Sequence, residues 1–353
     1  MMNLYKLSEY LEDIQYVAGL KLDWEKLRNK SIVITGASGL IGSFLVDVLL
    51  EVESRLKLNC QIYALGRNEA KAKNRFSEIW KRPEFQFVAC DVNKSLDYVP
   101  AADYILHLAS NTHPVAYATD PVGTITTNII GLYNMLNLAV KKKTIRFVFA
   151  SSNEIYGENR GDVEKFDEQY CGYIDCNTMR AGYPESKRCG EALCQAYLKQ
   201  KGLDIVIPRL TRSYGPTLLD SDTKALSQFL HKGIARENII LKSTGTQYFS
   251  YTYVADAVSG LLTVLLAGIR GEAYNIADEK SDIMLKDLAK IIADIAGTNV
   301  IFDLPDEVEA AGFSKATKAR LDSTKLQALG WRAHYDMKCG LKKTMKILAK
   351  LEK

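Results

Sequence analysis

The chain contains 353 residues, of which 47% are apolar and 25% are charged, and its formal net charge is only +4. This length and balance suit a large core or two lobes that share one cleft. The small net charge does not indicate a nucleic-acid partner. The densest basic run, Lys141 to Lys143, lies where a helix should end, and basic residues at that position are favourable to the helix dipole. No apolar run approaches the roughly 18 residues of a membrane span, so we expect a cytoplasmic protein without membrane contact.

The cysteines predict neither a disulfide framework nor a metal site. Their number, seven, is odd, and the chain is long for a domain that depends on disulfides. The nearest pairs, Cys171 with Cys176 and Cys189 with Cys194, lack the two-residue gap and the second pair typical of zinc sites. We therefore expect buried or idle thiols and no bound metal.

Short apolar runs alternate with helical stretches along much of the chain. Residues 1–30 are predicted to form a helical N-terminal extension, and residues 31–209 a first domain with a returning segment near 250–270. This alternation predicts a Rossmann-type α/β fold with a doubly wound parallel sheet. After Arg209 the alternation loosens, so residues 210–353 are expected to form mainly a smaller α/β lobe over the carboxyl ends of the strands. The predicted strands are "SIVIT" (31–35), "CQIYAL" (60–65), "FQFVAC" (85–90), "YILHLA" (104–109), "IRFVFAS" (145–151) and "LDIVIPR" (203–209).

A turn with three glycines follows the first predicted strand, in "SIVITGASGLIG". Gly36 allows the tight turn, Gly39 lets the backbone approach a ligand, and Gly42 lets the following helix pack closely on the strand. Free N–H groups at the helix N-terminus favour an anion, so the pattern predicts a dinucleotide bound through its pyrophosphate. Residues 31–209 are therefore predicted to be a dinucleotide-binding domain. The predicted contacts in this turn are Gly36, Ser38, Gly39, Leu40, Ile41 and Gly42.

The ends of the second and third predicted strands bear on the choice between NAD and NADP. The second strand of such folds usually ends in an acidic residue that binds the ribose hydroxyls, but "YALGRNEAK" has Gly66 and Arg67 there. An arginine suits a 2′-phosphate, while a solvated loop arginine is an equal alternative, so both cofactors stay open. Asp91, which precedes Val92 in "ACDV", can accept a hydrogen bond from the adenine amino group. Arg67, Asp91 and Val92 are therefore predicted cofactor contacts.

Two segments carry candidate catalytic residues. "SSNEIYG" (151–157) follows the fifth predicted strand, and "YPESK" (183–187) opens a helix with Tyr183 and Lys187 four residues apart on one face. The charge of Lys187 can lower the pKa of the Tyr183 phenol, so that Tyr183 takes a proton from a substrate hydroxyl while hydride leaves the same carbon. Ser152 is predicted to hold that hydroxyl. The spacing alone is a weak signal, but after a glycine turn and a strand-end serine it indicates a dehydrogenase-type site.

These motifs resemble the extended short-chain dehydrogenase/reductase superfamily, in its branch of nucleotide-sugar epimerases, dehydratases and decarboxylases. The resemblance covers nearly the whole chain from Ser31 and includes "HLAS", "TNIIGLYNML", "PRLTRSYGP", "YTYVADAV", "YNIAD" and "LDSTKLQALGW". It implies a tightly bound and recycled NAD or NADP, a nucleotide-diphosphate sugar substrate, a C-terminal lobe that binds this substrate, and a homodimer. The further cofactor contacts that it implies are Leu108, Ala109, Ser110, Asn128, Tyr183 and Lys187, and the substrate contacts are Thr112, Asn153, Arg212 and Gln247.

Glu154 bears on the reaction within this branch. Simple 4-epimerases usually have a small or neutral residue at this position, whereas members that act further on the 4-ketone have Ser/Thr, one variable residue and then Glu. Once C4 is a ketone, C5–H is acidic and a C6 carboxylate is a β-keto acid, so a carboxylate beside C5 can assist elimination or loss of CO2. In deoxythymidine-diphosphate-glucose dehydratases the variable residue is an Asp, where this chain has Asn153, which cannot donate a proton as an acid. An N-cap or a surface salt bridge is the alternative role for Glu154.

Two departures from the family pattern concern the substrate. The pattern Arg-x-x-Asn-x-Tyr-Gly-Pro has Arg212 in place of the asparagine that usually contacts the nucleotide sugar. The pattern Gln-x-Arg has Phe249 in place of the arginine that usually contacts the diphosphate. We infer that Arg212 replaces the lost contact from another direction, and the alternative is a substrate without the usual diphosphate contact.

The sequence thus predicts a lyase that decarboxylates or dehydrates a hexose nucleotide through a transient 4-ketone, similar to UDP-glucuronate decarboxylases and NDP-hexose 4,6-dehydratases. An NDP-sugar 4-epimerase in which Glu154 takes no part is the first alternative. A non-catalytic dinucleotide-sensing protein is a more distant one, because such proteins commonly lose the tyrosine or the lysine and both Tyr183 and Lys187 are present.

Overall fold

The structure, a computed structural model, describes residues 3–112, 117, 119–219, 221–304 and 317–352. The α-helices are α1 (Ser8–Ala18), α2 (Leu40–Leu56), α3 (Glu69–Arg75), α4 (Pro121–Thr126), α5 (Leu132–Lys141), α6 (Gly182–Lys201), α7 (Ala225–Ile234), α8 (Val254–Ala267), α9 (Leu285–Ala296), α10 (Thr324–Ala328) and α11 (Met337–Leu351). The strands are β1 (Ser31–Thr35), β2 (Gln61–Gly66), β3 (Phe85–Ala89), β4 (Tyr104–His107), β5 (Arg146–Phe149), β6 (Ser151–Ser152), β7 (Ile205–Leu210), β8 (Arg212–Tyr214), β9 (Ile239–Leu241), β10 (Tyr248–Tyr253), β11 (Ala273–Ile276), β12 (Asp282–Met284), β13 (Val300–Phe302) and β14 (Lys318–Ala319). A π-helical turn, Thr127–Gly131, joins α4 to α5.

The central sheet is parallel, with the strand order β11-β7-β5-β4-β1-β2-β3 and the short β6 beside β7. The order reverses between β1 and β4, and ligands of such sheets bind in the crevice at this point. The six predicted strands correspond to β1 to β5 and β7, so the doubly wound parallel α/β fold is confirmed. The sequence does not predict β11, which adds an edge strand after helix α8.

Alternate residues of the central strands pack against helices on opposite faces of the sheet. In β1, Ile32 and Ile34 belong to one core cluster and Val33 to the other, and all three are fully buried. Helices α1, α2 and α8 supply the first cluster, and α5 and α6 supply the second. Strands buried on both faces have continuous apolar sequences, which explains why these strands are easily found in the sequence.

The N-terminal segment is tied into the fold by buried polar contacts. Helix α1 packs against α2 and α8. Asp13 of this helix is fully buried and accepts hydrogen bonds from the hydroxyls of Tyr253 (2.5 Å) and Tyr335 (2.6 Å). It also pairs with Lys343 Nζ at 2.9 Å. Because a buried carboxylate needs such partners, Asp13 holds α1 to Tyr253 at the end of β10 and to the C-terminal helix α11.

A smaller sheet centres on β10 and contains Arg212 in β8 and Phe249 in β10. Strand β10 pairs in parallel with β8 and β14 and antiparallel with β12. In this register Tyr251 lies opposite Arg212, and Phe249 lies opposite Ala319. Strand β8 follows β7 after one residue. Arg212 therefore enters the smaller sheet directly from the carboxyl end of a central strand.

Further findings apply to the described part of the chain only. None of its helices combines the length and the apolar character needed to cross a bilayer. No group of three or more His, Cys, Asp and Glu side chains in it could hold a metal ion. The cysteines are free thiols, of which Cys60, Cys90 and Cys194 are buried.

Candidate active site

A cleft of about 530 Å³ opens at the carboxyl ends of the central strands. Most of the residues that line it follow β1, β2, β3, β4 and β5, begin α6, or lie in β8. The others include Tyr117, Thr127, Leu219, Ser221, Asp222 and Lys224. Nearly every site residue predicted from the sequence lines the cleft. The two exceptions are Asn128 and Gln247.

The glycine turn after β1 forms the part of the cleft under the start of α2. Gly36 has φ +66°, and a Cβ added there would lie 2.9 Å from the backbone N of Ala109. A Cβ at Gly42 would lie 2.4 Å from the carbonyl oxygen of Gly36. Gly39 precedes α2 without a side-chain cap. The turn therefore brings uncapped backbone N–H groups to the cleft, and this arrangement fits a pyrophosphate.

Residues after β2 and β3 form one end of the cleft. Arg67, Asn68 and Lys71 line this end, and β2 ends at Gly66 without a carboxylate. Asp91 also lines it and accepts a hydrogen bond from the backbone N–H of Asn93 at 3.0 Å. Arg67 and Asp91 are predicted from the sequence, whereas Asn68 and Lys71 are not. The segment "RNEAK" nevertheless places Asn68 and Lys71 within four residues of Arg67.

The loop after β4 supplies the floor of the cleft. The hydroxyl of Thr35 accepts hydrogen bonds from the N–H groups of Leu108 and Ala109, both at 3.1 Å. Ser110 Oγ donates to Asn128 Oδ1 at 2.7 Å, and Asn128 Nδ2 donates to Ser186 Oγ at 2.9 Å. Asn128 is buried and lies beneath the cleft wall. Its observed contacts make it a support for Ser110.

Strand β6 and the 3₁₀ turn after it bring three predicted residues into the cleft. Ser152 Oγ accepts a hydrogen bond from the backbone N–H of Glu154 at 3.2 Å, and Asn153 is buried. Glu154 Oε1 lies 3.5 Å from Arg180 Nη2. The serine thus caps the turn that directs Glu154, and Arg180 balances its charge.

Tyr183 and Lys187 lie in the first two turns of α6, and both are buried in the cleft wall. Lys187 Nζ donates to the carbonyl oxygen of Ala150 at 2.8 Å and lies 4.8 Å from the centre of the Phe149 ring. Burial lowers the pKa of Lys187 to about 8. The helix therefore places the phenol and the ammonium group beside the strand-end serine, as the spacing predicts.

The pKa of Tyr183 is raised rather than lowered. Burial is the largest cause, and the charge of Glu154 raises it further, while hydrogen bonding by Ser152 and Ser110 lowers it. The expectation that Lys187 lowers this pKa therefore does not hold for the chain by itself. Lys187 donates its hydrogen bond to the Ala150 carbonyl, and its charge is not among the causes that shift the pKa of Tyr183.

The sequence matches the family model described as "NAD dependent epimerase/dehydratase family" over residues 32–277. The chain belongs to this family. UDP-glucuronic acid decarboxylase 6 of Arabidopsis thaliana is 31% identical over 317 residues, which are 89% of this chain and 87% of that protein. The predicted superfamily and its nucleotide-sugar branch are confirmed.

Solved structures show the same fold as this member of the epimerase/dehydratase family. The dTDP-glucose 4,6-dehydratase of Bacillus anthracis, in complex with NAD, aligns with a TM-score of 0.77 and 21% identity over 92% of this chain and 97% of that chain. The UDP-glucuronic acid 4-epimerase of Bacillus cereus, in complex with UDP-glucuronic acid and NAD, aligns with a TM-score of 0.78 and 21% identity over 91% of this chain and 99% of that chain. At these identities the likeness concerns the fold alone.

One aromatic residue, Tyr117, and one basic residue, Arg180, extend the site of this family member beyond the sequence prediction. Tyr117 lines the cleft, and its ring stacks on Tyr183 with the ring centres 5.1 Å apart. Arg180 lies with Cζ 5.3 Å from the centre of the Tyr117 ring. No local spacing connects Tyr117 with Tyr183, so only the folded chain reveals the contact. Arg180 stands three residues before Tyr183, and that proximity is the one signal available in the sequence.

The predicted substrate contacts fall into two groups. Thr112, Asn153 and Arg212 line the cleft. Gln247 does not line it, and its side chain lies 3.5 Å from Ser243 Oγ. The two departures from the family pattern meet in space, since the Cζ atom of Arg212 lies 3.7 Å from the centre of the Phe249 ring.

Proposed function

We propose that this protein is an NAD(P)-dependent decarboxylase of a nucleotide-linked uronic acid, with UDP-glucuronate as the first substrate to test. The observation that carries the proposal is the position of Glu154, which lies in the cleft close enough to Tyr183 for its charge to raise the pKa of the phenol. The relatedness to UDP-glucuronic acid decarboxylases along 89% of the chain supports the same reaction.

In this proposal Ser152, Tyr183 and Lys187 act first, at the C4 hydroxyl of the sugar. Ser152 holds the hydroxyl, Tyr183 takes its proton, and Lys187 keeps the Ala150 carbonyl and the base of the cleft in place. A bound dinucleotide would supply reversible oxidation at C4. The residues that would hold it are those of the glycine turn together with Arg67, Asp91, Val92, Leu108, Ala109 and Ser110.

Glu154 acts in the second stage, after C4 has become a ketone. The uronic acid is then a β-keto acid: the C5–C6 bond breaks, CO2 leaves without the bonding electron pair, and the pair forms an enolate across C4 and C5. C5 then takes up a proton, and C4 is reduced again. We assign the control of that proton to Glu154, held by Arg180 at 3.5 Å.

Product analysis tests this function. The purified protein is incubated with UDP-glucuronate, and separately with UDP-glucose, without added cofactor. We expect CO2 and a UDP-pentose from UDP-glucuronate, and neither of these products from UDP-glucose. A 4-keto-6-deoxy sugar from UDP-glucose would identify a dehydratase, and a C4 epimer would identify an epimerase; either product in place of CO2 contradicts the proposal.

We propose that the dinucleotide stays tightly bound and is recycled, since oxidation and reduction at C4 balance within one cycle. The cations Arg67 and Lys71, and the lack of a carboxylate at the end of β2, leave room for NADP as well as NAD. Cofactor released from the denatured protein can be identified by mass. A requirement for stoichiometric external NAD(P)H would contradict recycling.

We also propose a cytoplasmic homodimer with a dinucleotide-binding domain (31–209) and a substrate lobe (210–353). Val122, Ile130 and Tyr133, on α4, the π-helical turn and α5, are exposed apolar side chains that suit a contact with a second copy. Leu193 and Tyr197 of α6 suit such a contact less, because Leu193 packs against the core and Tyr197 is buried. Sedimentation at micromolar concentration is expected to give a dimer, and a monomer would contradict it.

A further inference from the structure

Arg212 lines the cleft and has no anionic partner among the residues that the structure describes. Its side chain forms no hydrogen bond or ion pair with any residue that the structure describes, and its Nη1 atom is buried. Arg180 and Lys224 differ from Arg212 in this respect, because Arg180 pairs with Glu154 and Lys224 pairs with Asp222. Arg212 is half-buried, and a partly desolvated guanidinium is costly to leave unpaired, so a ligand that brings an anion to it gains affinity.

The Phe249 ring holds the guanidinium in place. Phe249 is 8% exposed and does not line the cleft, whereas Arg212 does, with its Cζ atom 3.7 Å from the ring centre. A phenyl ring fixes the plane of the guanidinium but accepts no conventional hydrogen bond, so the N–H donors stay available. Such a planar and oriented fork matches a carboxylate through two parallel hydrogen bonds.

The strand register places Arg212 at the catalytic end of the cleft, because Leu210, two residues before Arg212, pairs with Ser152. Burial lowers the pKa of Arg212, and the charges of Tyr251 and Glu154 oppose this. Glu154 also acts on Tyr183, so it is near both residues. In the proposed reaction Tyr183 acts at C4, and C6 is two bonds from C4, whereas the diphosphate is attached to C1 across the ring. An anion that meets Arg212 is therefore the carboxylate at C6 rather than the diphosphate, which is the contact inferred from the sequence.

We propose that Arg212, seated on Phe249, binds the sugar carboxylate and thereby selects a uronic acid over a neutral hexose. This inference rests on the proposed function and names the group of the substrate that determines specificity. Arg180 Nη2 lies 3.5 Å from Glu154 Oε1 and balances the charge of that carboxylate. Glu154 therefore repels the carboxylate of the substrate less strongly.

Equilibrium binding to the purified holoenzyme tests the assignment with three ligands: UDP-glucuronate, UDP-glucose and UDP. In Arg212→Gln we expect the affinity for UDP-glucuronate to fall roughly 30- to 1,000-fold, because a buried charge pair loses one partner. UDP-glucose and UDP should change by less than about 3-fold, within the usual effect of a peripheral charge. Lys224→Gln is the matched control, since it removes a cleft cation that already has a partner, and it should leave the ratio of the UDP-glucuronate and UDP-glucose affinities unchanged.

An equal loss for all three ligands would show that Arg212 contacts the diphosphate, and no loss for any would show that it contacts no anion; either result overturns the proposal. If Arg212→Gln does not fold, Phe249→Leu removes only the stacking surface and should reduce the preference for UDP-glucuronate about 3- to 10-fold. An unchanged preference in this variant overturns the role of Phe249. If wild-type protein binds UDP-glucuronate selectively through Arg212 but releases no CO2, the proposed function fails while this inference stands.

Discussion

The two halves of the cleft are built by different means. At the glycine turn the backbone itself forms the site, since Gly36 and Gly42 leave no space for a Cβ. At the other half, side chains from distant segments form it: Glu154 follows β5, Arg180 precedes α6, and Arg212 lies in β8. A backbone site demands particular residue types at fixed spacing, whereas a side-chain site can exchange its members, as the Arg212–Phe249 contact illustrates.

The largest effect is expected at the backbone half, from Gly36→Ala. The new Cβ would lie 2.9 Å from the Ala109 nitrogen at φ +66°, so strain and collision combine. We expect a loss of about 3 kcal/mol in the free energy of unfolding and loss of bound dinucleotide. Gly297→Ala is the control, since it has φ +70° but no atom within 4 Å of the added Cβ, and it should cost only about 1 kcal/mol. Equal losses in the free energy of unfolding of the two variants, with full dinucleotide content in both, would contradict a role for the close approach between Gly36 and Ala109.

A smaller effect is expected between the halves, at Lys187. Its pKa in the folded chain is about 8, below its ordinary value of 10.5, so between these values the unfolded state binds more protons than the folded state. The free energy of unfolding should therefore rise with pH in this window, by about 1 to 3 kcal/mol. Denaturant unfolding of the wild type and of Lys187→Met across this window measures it. The rise should be missing in the variant, and parallel pH profiles would contradict the lowered pKa.

The smallest effect is expected at the far end of the backbone half, where side chains add to the glycine turn. Arg67 lines the cleft after β2. If Arg67 faces the adenosine ribose, Arg67→Ala should weaken NADP(H) about 10-fold more than NAD(H), because a 2′-phosphate loses a charge-assisted contact. Titration of both dinucleotides into the cofactor-stripped protein measures the ratio. An unchanged ratio would show that Arg67 is a solvated loop residue.

The same division explains what the sequence can predict. The glycine turn and the Tyr183–Lys187 pair depend on local spacing, and the six predicted strands on continuous apolar runs, so all are readable from the sequence. The edge strand β11 follows helix α8 in the part of the chain where the alternation of strands and helices loosens, so the pattern does not reveal it.

Contacts between distant segments could not be predicted. The sequence identifies Arg212 and Phe249 as two separate departures, but only the pairing of β8 with β10 brings them together. Tyr117 stacks on Tyr183 from 66 residues away in the chain. The upward shift in the Tyr183 pKa likewise depends on burial and on Glu154, which act only in the folded chain.

In the proposed reaction Tyr183 acts before Glu154. The absorbance of the reduced nicotinamide after substrate addition tests this order most directly. Tyr183→Phe and Glu154→Gln are close in shape to the wild-type side chains, and each is mixed as holoenzyme with excess UDP-glucuronate. We expect no rise in Tyr183→Phe, with turnover reduced by roughly 10² to 10⁴, because the C4 hydroxyl keeps its proton. In Glu154→Gln we expect the absorbance to rise while the final product fails to form. Wild-type turnover in Glu154→Gln, without a rise, would contradict the claim and favour an epimerase in which Glu154 takes no part.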